Sequence, residues 1–215
     1  MLQRECLASG VHLNCIPADK FNRCRISLHF RFPASREKAT DQALLPLVMD
    51  RGYAACPDMT QLTRKLARLY GAALSVETSM QGASRVLSVS ITGIKDRFAL
   101  NGEALTAEYA AIVFGVAFDP YFENGCFSRE AVEIEKTTLA RQLESEINDK
   151  RLYCVRQARR KFFGDSPAGI ERDGYLADLP SVTCESLTAV YQEMLRTAQL
   201  DVICLGADEA VVRRM

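Results

Sequence analysis

The sequence predicts an α+β domain in which helices pack on one face of a mostly antiparallel sheet. Several segments alternate between apolar and polar residues with a period of two, and helical segments separate them. The alternating segments also keep one polar face, which is typical of antiparallel strands with one face toward solvent. Residues 24–32 show this most cleanly, with the apolar residues Cys24, Ile26, Leu28, Phe30 and Phe32 alternating with Arg25, Ser27, His29 and Arg31.

Shorter alternating segments predict four further strands. A turn around Gly82 joins the middle two, and we expect the last segment to close the sheet. These strands are predicted at residues 10–16, 74–79, 86–91 and 200–205.

Helices are predicted in the gaps between these strands. Asp58 followed by Gln61 indicates an N-cap, and Gly71 indicates a helix end. The longest predicted helix begins after Ser128 and breaks near Asn148-Asp149. The predicted helices are residues 41–52, 58–70, 101–118, 128–163, 166–172 and 184–197.

Composition limits the classes of function. The 215 residues predict a single domain over 1–215, and the 27 basic residues balance the 27 acidic ones, which argues against a nucleic-acid-binding protein. The longest apolar run, 110–118, is too short to cross a membrane. The first ten residues lack a signal segment, and the eight cysteines are scattered without a C-x-x-C pair. We therefore expect a cytoplasmic protein.

Two polar residues interrupt the apolar stripe of the 128–163 helix. Glu135 and Gln142 are seven residues apart, so they lie nearly on one line along the helix. Because Val132, Leu139 and Leu143 share that side, we expect both polar side chains to point inward.

This helix resembles the second metal-bearing helix of the insulinase (pitrilysin) family of zinc peptidases. In that family a glutamate is followed two turns later by the glutamate that binds zinc. Here the first position is kept as Glu135, whereas the zinc position holds Gln142. A neutral amide is a poor zinc ligand.

The family's other metal helix carries an H-x-x-E-H motif, and residues 41–52 match it in position. Aligned on Gly52, the two histidine positions hold Ala43 and Leu47, and the general-base position holds Pro46. The resemblance therefore implies that no catalytic or metal-ligating residue remains at these positions, with Glu135 as a vestige of the site.

The resemblance extends over nearly the whole chain. It includes the strand at 24–32, the LARLYGAAL run at 66–74, the segment 148–153 and the last strand. Together these segments are most similar to the zinc-less, YmfF-like bacterial branch of the family.

This resemblance implies a catalytically inactive peptidase homologue that is the first of two similar halves. It needs no cofactor itself and forms a heterodimer with a zinc-bearing insulinase-like subunit. An isolated half would expose apolar surface and self-associate. Two alternatives stay open: an active zinc peptidase with rearranged ligands, and a scaffold subunit that binds no peptide.

A peptide-binding strand is also implied by the resemblance. In the family the substrate adds as a strand to the edge of this half's sheet. The matching residues are Leu74, Ser75, Val76, Glu77 and Thr78. An ordinary edge strand is the alternative interpretation.

The two histidines are not expected to bind metal. His12 and His29 fall on the polar faces of their strands, and neither has a second ligand at metal spacing. We therefore interpret both as surface residues.

Overall fold

The computed structural model describes residues 2–164 and 166–215. It contains a six-stranded sheet, a two-stranded hairpin and a layer of helices. The strands are β1 (Gln3–Ala8), β2 (Val11–Ile16), β3 (Arg23–Pro33), β4 (Ala73–Gln81), β5 (Ser84–Ile94), β6 (Phe122–Glu123), β7 (Cys126–Phe127) and β8 (Gln199–Leu205). The helices are α1 (Ala39–Met49), α2 (Met59–Arg68), α3 (Leu105–Phe118), α4 (Arg129–Ser145), α5 (Lys150–Phe163), α6 (Cys184–Thr197) and α7 (Glu209–Arg213).

The main sheet has the strand order β1-β2-β8-β3-β5-β4. Strand β8 runs parallel to β2 and antiparallel to β3, and all other neighbours in this sheet are antiparallel. The expectation that residues 200–205 close the sheet is therefore wrong, because β8 lies inside it. Both edges of β8 pair with neighbouring strands, a placement that its apolar pattern alone does not specify.

Helices cover one face of the sheet. Alternate residues of β3, among them Ile26, Leu28 and Phe30, are buried against the helices, and α1, α3 and α6 all contact the sheet. The opposite face is polar: Arg25 donates hydrogen bonds to Ser27 and to Ser90 on the neighbouring strand. The predicted α+β fold class is confirmed.

Several element boundaries differ from the predictions. Strand β1 was not predicted, because residues 3–8 carry no apolar face and are all exposed. Helix α3 begins at Leu105 and not at 101. The break in the long helix is confirmed, since a 3-10 turn at Glu146–Asn148 separates α4 from α5.

Helix α5 has none of its side chains buried among the described residues. Its apolar residues face solvent, with Leu152 44%, Val155 58% and Phe162 83% exposed. None of the helices in the described part of the chain combines the length and apolarity that a bilayer crossing needs.

Candidate functional site

Helix α1 carries the positions that resemble the H-x-x-E-H motif. Ala43 and Pro46 are buried in the helical layer and Leu47 is half-buried. Proline lacks an N–H and cannot donate the usual bond inside a helix. This helix therefore offers neither an imidazole nor a carboxylate at these three positions.

Helix α4 packs on α1, and an ion pair joins them. The Arg51 guanidinium lies 2.7 Å from Glu135 Oε1, and both side chains are mostly buried. Glu135 thus points inward as expected. A carboxylate on an inward face needs a cation or hydrogen-bond donor, and Arg51 supplies both.

The inward orientation expected for Gln142 is wrong, because its side chain is exposed. Helical spacing does not explain this exposure, because Val132 and Leu139 are also seven residues apart and both stay buried. Only Val132 and Leu139 of α4 are fully buried, and the helix ends soon afterwards at Ser145.

A second carboxylate lies beside this ion pair. Burial, with a smaller contribution from the Glu135 charge, raises the pKa of Asp50 above its ordinary value. Asp50 also follows the last residue of α1, where the helix dipole disfavours negative charge. Two acidic groups and one arginine therefore stand where the resemblance implies descent from a metal site.

The segment 74–79 belongs to β4, which is an edge strand of the main sheet. Gly82, with φ of 61°, and Ala83 form a two-residue turn between the paired residues Gln81 and Ser84. Such a turn is closed by a hydrogen-bonded pair, and hydrogen-bonded and non-hydrogen-bonded pairs alternate from there. Opposite Val89, Val76 is in a non-hydrogen-bonded pair.

The open edge therefore presents the backbone N–H and C=O groups of alternate residues. Leu74, Val76 and Thr78 direct these groups away from β5, whereas Ser75 and Glu77 pair with it. Among the five residues predicted for peptide binding, three thus offer backbone partners to an added strand.

A buried arginine fixes a loop next to this edge. The Arg85 guanidinium donates to the carbonyl oxygens of Arg172 at 2.7 Å and Glu171 at 3.0 Å, and to the Thr78 hydroxyl. Burial lowers the pKa of Arg85 to about 10. The guanidinium stays charged at neutral pH and holds the loop against β4 and β5.

Both histidines are half-buried on the polar face of the sheet. His29 Nδ1 lies 2.8 Å from the Ser88 hydroxyl, and burial, followed by the Arg25 charge, lowers the pKa of His29. Neither histidine belongs to a cluster of metal-ligating side chains among the described residues. The fold instead gathers Cys126, Cys184 and Glu185, a group that the scattered sequence positions did not reveal.

No family model matches the chain. A curated protein from Bacillus subtilis (strain 168), named "Probable inactive metalloprotease YmfF", is 23% identical over 197 residues, which are 92% of this chain and 46% of YmfF. A conserved protein of solved structure from Enterococcus faecalis V583 is 29% identical and superposes with a TM-score of 0.91 over 97% of this chain and 49% of its own.

A more distant solved structure has the same fold. The peptidase M16 inactive domain from Pseudomonas fluorescens superposes on 100% of this chain and 50% of its own with a TM-score of 0.74 at 14% identity. The chain spans about half the length of the relatives that it matches. The chain is therefore similar in sequence to the probable inactive metalloprotease YmfF, and it has the fold of a peptidase M16 inactive domain.

Proposed function

We propose that this chain is a catalytically inactive M16-type subunit, corresponding to the first of two similar halves, that pairs with a zinc-bearing insulinase-like subunit. The partner supplies the zinc, the activated water and the general base. This chain contributes a wall of the substrate chamber and the edge of its sheet.

This proposal rests on the side chains at the contact between α1 and α4, where other residues stand at the positions that resemble metal ligands and the general base. Ala43, Pro46 and Leu47 provide no ligand or base, and Glu135 is held by Arg51 at 2.7 Å. Restoring a zinc site would require ionisable side chains to be added at positions 43, 46 and 47, which are buried or half-buried.

The exposed face of α5 supports pairing with another protein. Contiguous exposed apolar surface is a mark of interaction sites. We expect Val155→Ser and Phe162→Ser to weaken association with a zinc-bearing partner and self-association of the isolated chain. Co-purification and analytical ultracentrifugation measure the two effects, and Lys161→Ser, a polar exposed neighbour, is the matched control.

We place peptide substrate on β4 by strand addition. This mode of recognition needs backbone groups, which Leu74, Val76 and Thr78 offer at the open edge. It does not need the catalytic side chains, so it persists in a subunit that has lost them.

Val76→Pro tests this role, because proline removes an N–H that β5 does not use. We expect the variant to fold and to lose binding of an extended peptide, measured by fluorescence anisotropy in the complex with the partner. Val76→Ala loses similar side-chain contacts but keeps the N–H, so it should retain binding. Unchanged binding by Val76→Pro would favour the scaffold alternative.

A restoration experiment tests the placement of the lost ligands. The quadruple variant Ala43→His, Pro46→Glu, Leu47→His, Gln142→Glu is expected to bind zinc more tightly than the triple variant that keeps Gln142. Equal affinity in the two variants would show that Gln142 is not at the ligand position. Hydrolysis by the unmodified chain alone, abolished by a chelator, would instead establish the active-peptidase alternative.

We assign the protein to a bacterial cytoplasm. All eight cysteines are free thiols, a state that a reducing compartment maintains.

A further inference from the structure

Two cysteines and a glutamate meet at the corner between β7 and α6. Cys126 is the first residue of β7, and Cys184 and Glu185 are the first two residues of α6. Their sulfur and carboxylate oxygen atoms all lie within 4.8 Å of one another. Fifty-eight positions separate the two cysteines along the chain, so the fold alone brings them together.

The backbone around these residues is fixed by local hydrogen bonds. Thr183 and Ser186 form a reciprocal capping box at the start of α6. The N–H of Phe127, the residue after Cys126, donates to the Thr188 hydroxyl at 3.1 Å, and this bond links β7 to α6. The hairpin before Cys126 turns at Asn124 and Gly125, which both have positive φ. The backbone that carries the three side chains is therefore held in place by contacts that need no ligand.

The donor set suits a soft divalent cation. Thiolate and carboxylate oxygen are both zinc ligands, and two thiolates favour zinc over magnesium or calcium. Cys184 is buried, Cys126 is half-buried and Glu185 is exposed, so a cation can enter from solvent. Three protein ligands leave one tetrahedral position for water or another small ligand.

The charges near the group are compatible with this role. The N-terminus of the 14-residue helix α6 lies at this corner, and a helix N-terminus favours bound negative charge. Arg129 contributes a positive charge near Cys126.

We propose that Cys126, Cys184 and Glu185 bind a zinc-like divalent cation at this corner. The site uses none of the residues that resemble the family's metal positions on α1 and α4. Metal bound here stabilises the contact between β7 and α6 and takes no part in peptide hydrolysis. The proposal is independent of the partner and of the peptide-binding edge.

Cobalt(II) titration of the reduced full chain without oxygen tests the proposal. Thiolate coordination gives a charge-transfer absorption in the near ultraviolet, and we expect saturation at one cobalt per chain. Zinc should then displace the cobalt, following the usual order of affinities. Glu185→Gln should weaken binding by roughly tenfold or more, because even outer partners of a metal site contribute that much.

Cys126→Ser is the decisive variant, and Cys154→Ser is its matched control because Cys154 is an exposed cysteine on α5. We expect Cys126→Ser to lose the absorption while Cys154→Ser keeps it. Cys126 is half-buried, so its variant should fold, and thermal unfolding without metal checks this. Cys184→Ala provides a second variant if Cys126→Ser unfolds.

Three results would overturn the proposal. The reduced chain could show no cysteine-dependent cobalt absorption, Cys126→Ser could bind cobalt as tightly as the unmodified chain, or Cys154→Ser could lose the absorption. Mass spectrometry of the air-exposed chain distinguishes a redox pair. If a Cys126–Cys184 disulfide forms and the reduced chain binds no cobalt, the two cysteines are a redox pair and not a metal site.

Discussion

Two regions of this molecule differ in how they relate to metal chemistry. The α1–α4 contact contains the positions that resemble the metal helices of a zinc peptidase, but these positions hold no histidine, and the Arg51–Glu135 ion pair lies there. The β7–α6 corner has no recognisable motif, yet it brings two thiols and a carboxylate within 4.8 Å. A region can therefore resemble a metal site in sequence without holding metal-binding side chains, and another region can hold such side chains without resembling one. A zinc measurement on the whole chain reports on both regions, so Cys126→Ser must accompany it.

The largest expected effect concerns the apolar character of the α1–α4 region. Leu44→Ala removes a fully buried side chain and leaves a cavity, so we expect a loss of about 3 kcal/mol in the free energy of unfolding. Leu47→Ala, at a half-buried position, should lose less than about 1.5 kcal/mol. Urea denaturation measures both. Equal losses would mean that α1 does not use one face to pack on the sheet.

The next effect separates the two regions directly. Zinc at a free concentration of 100 times its dissociation constant should raise the free energy of unfolding by about 2.7 kcal/mol in the unmodified chain. The same addition should leave Cys126→Ser unchanged, whereas Glu135→Gln should respond like the unmodified chain. A response lost in Glu135→Gln would place the metal at the α1–α4 contact.

A smaller effect tests the ion pair that occupies the α1–α4 region. Glu135→Gln leaves Arg51 without its carboxylate, and we expect a loss of about 1 kcal/mol, since the pair is only partly shielded from solvent. A double-mutant cycle with Arg51→Met isolates the pairwise energy. A coupling energy near zero would mean that the pair does not hold α1 and α4 together.

The smallest effect is a pH dependence in the same region. Because the pKa of Asp50 is raised above the ordinary 3.8, the folded state holds this proton more tightly than the unfolded chain. Ionisation of Asp50 therefore lowers stability as pH rises through the interval from 3.8 to the raised value. Asp50→Asn should gain about 0.5 kcal/mol at pH 7, and the gain should disappear below about pH 3. Thermal unfolding across pH measures it, and a gain that persists in acid would have another cause.

Much of the fold could be predicted from the sequence because its strands alternate cleanly. The pattern of β3 identified both faces of the sheet, and Asp58 does accept a hydrogen bond from the Gln61 N–H at the start of α2. The position of β4 at an edge followed from resemblance and is confirmed. Local periodicity and capping residues determine these features, so they are readable without the tertiary structure.

The remaining features depend on contacts between distant parts of the chain. Strand β1 has no apolar face, and it pairs through its backbone with β2. The exposure of Gln142 depends on which flank of α4 has a neighbour, and helical spacing does not report that. The Cys126–Cys184 contact requires β7 to lie against α6. Local sequence patterns do not predict such long-range contacts.

The internal position of β8 has a consequence for how the chain folds. Residues 199–205 follow β5 by more than 100 positions along the chain, yet they lie between the β1–β2 hairpin and the three strands β3, β5 and β4. Until β8 is synthesised, the edges of β2 and β3 that pair with it stay unpaired. Pairing over such sequence distances is slow, and exposed edges promote aggregation during that delay. Nascent chains stopped before residue 199 should therefore depend on chaperones more than chains that extend beyond residue 205.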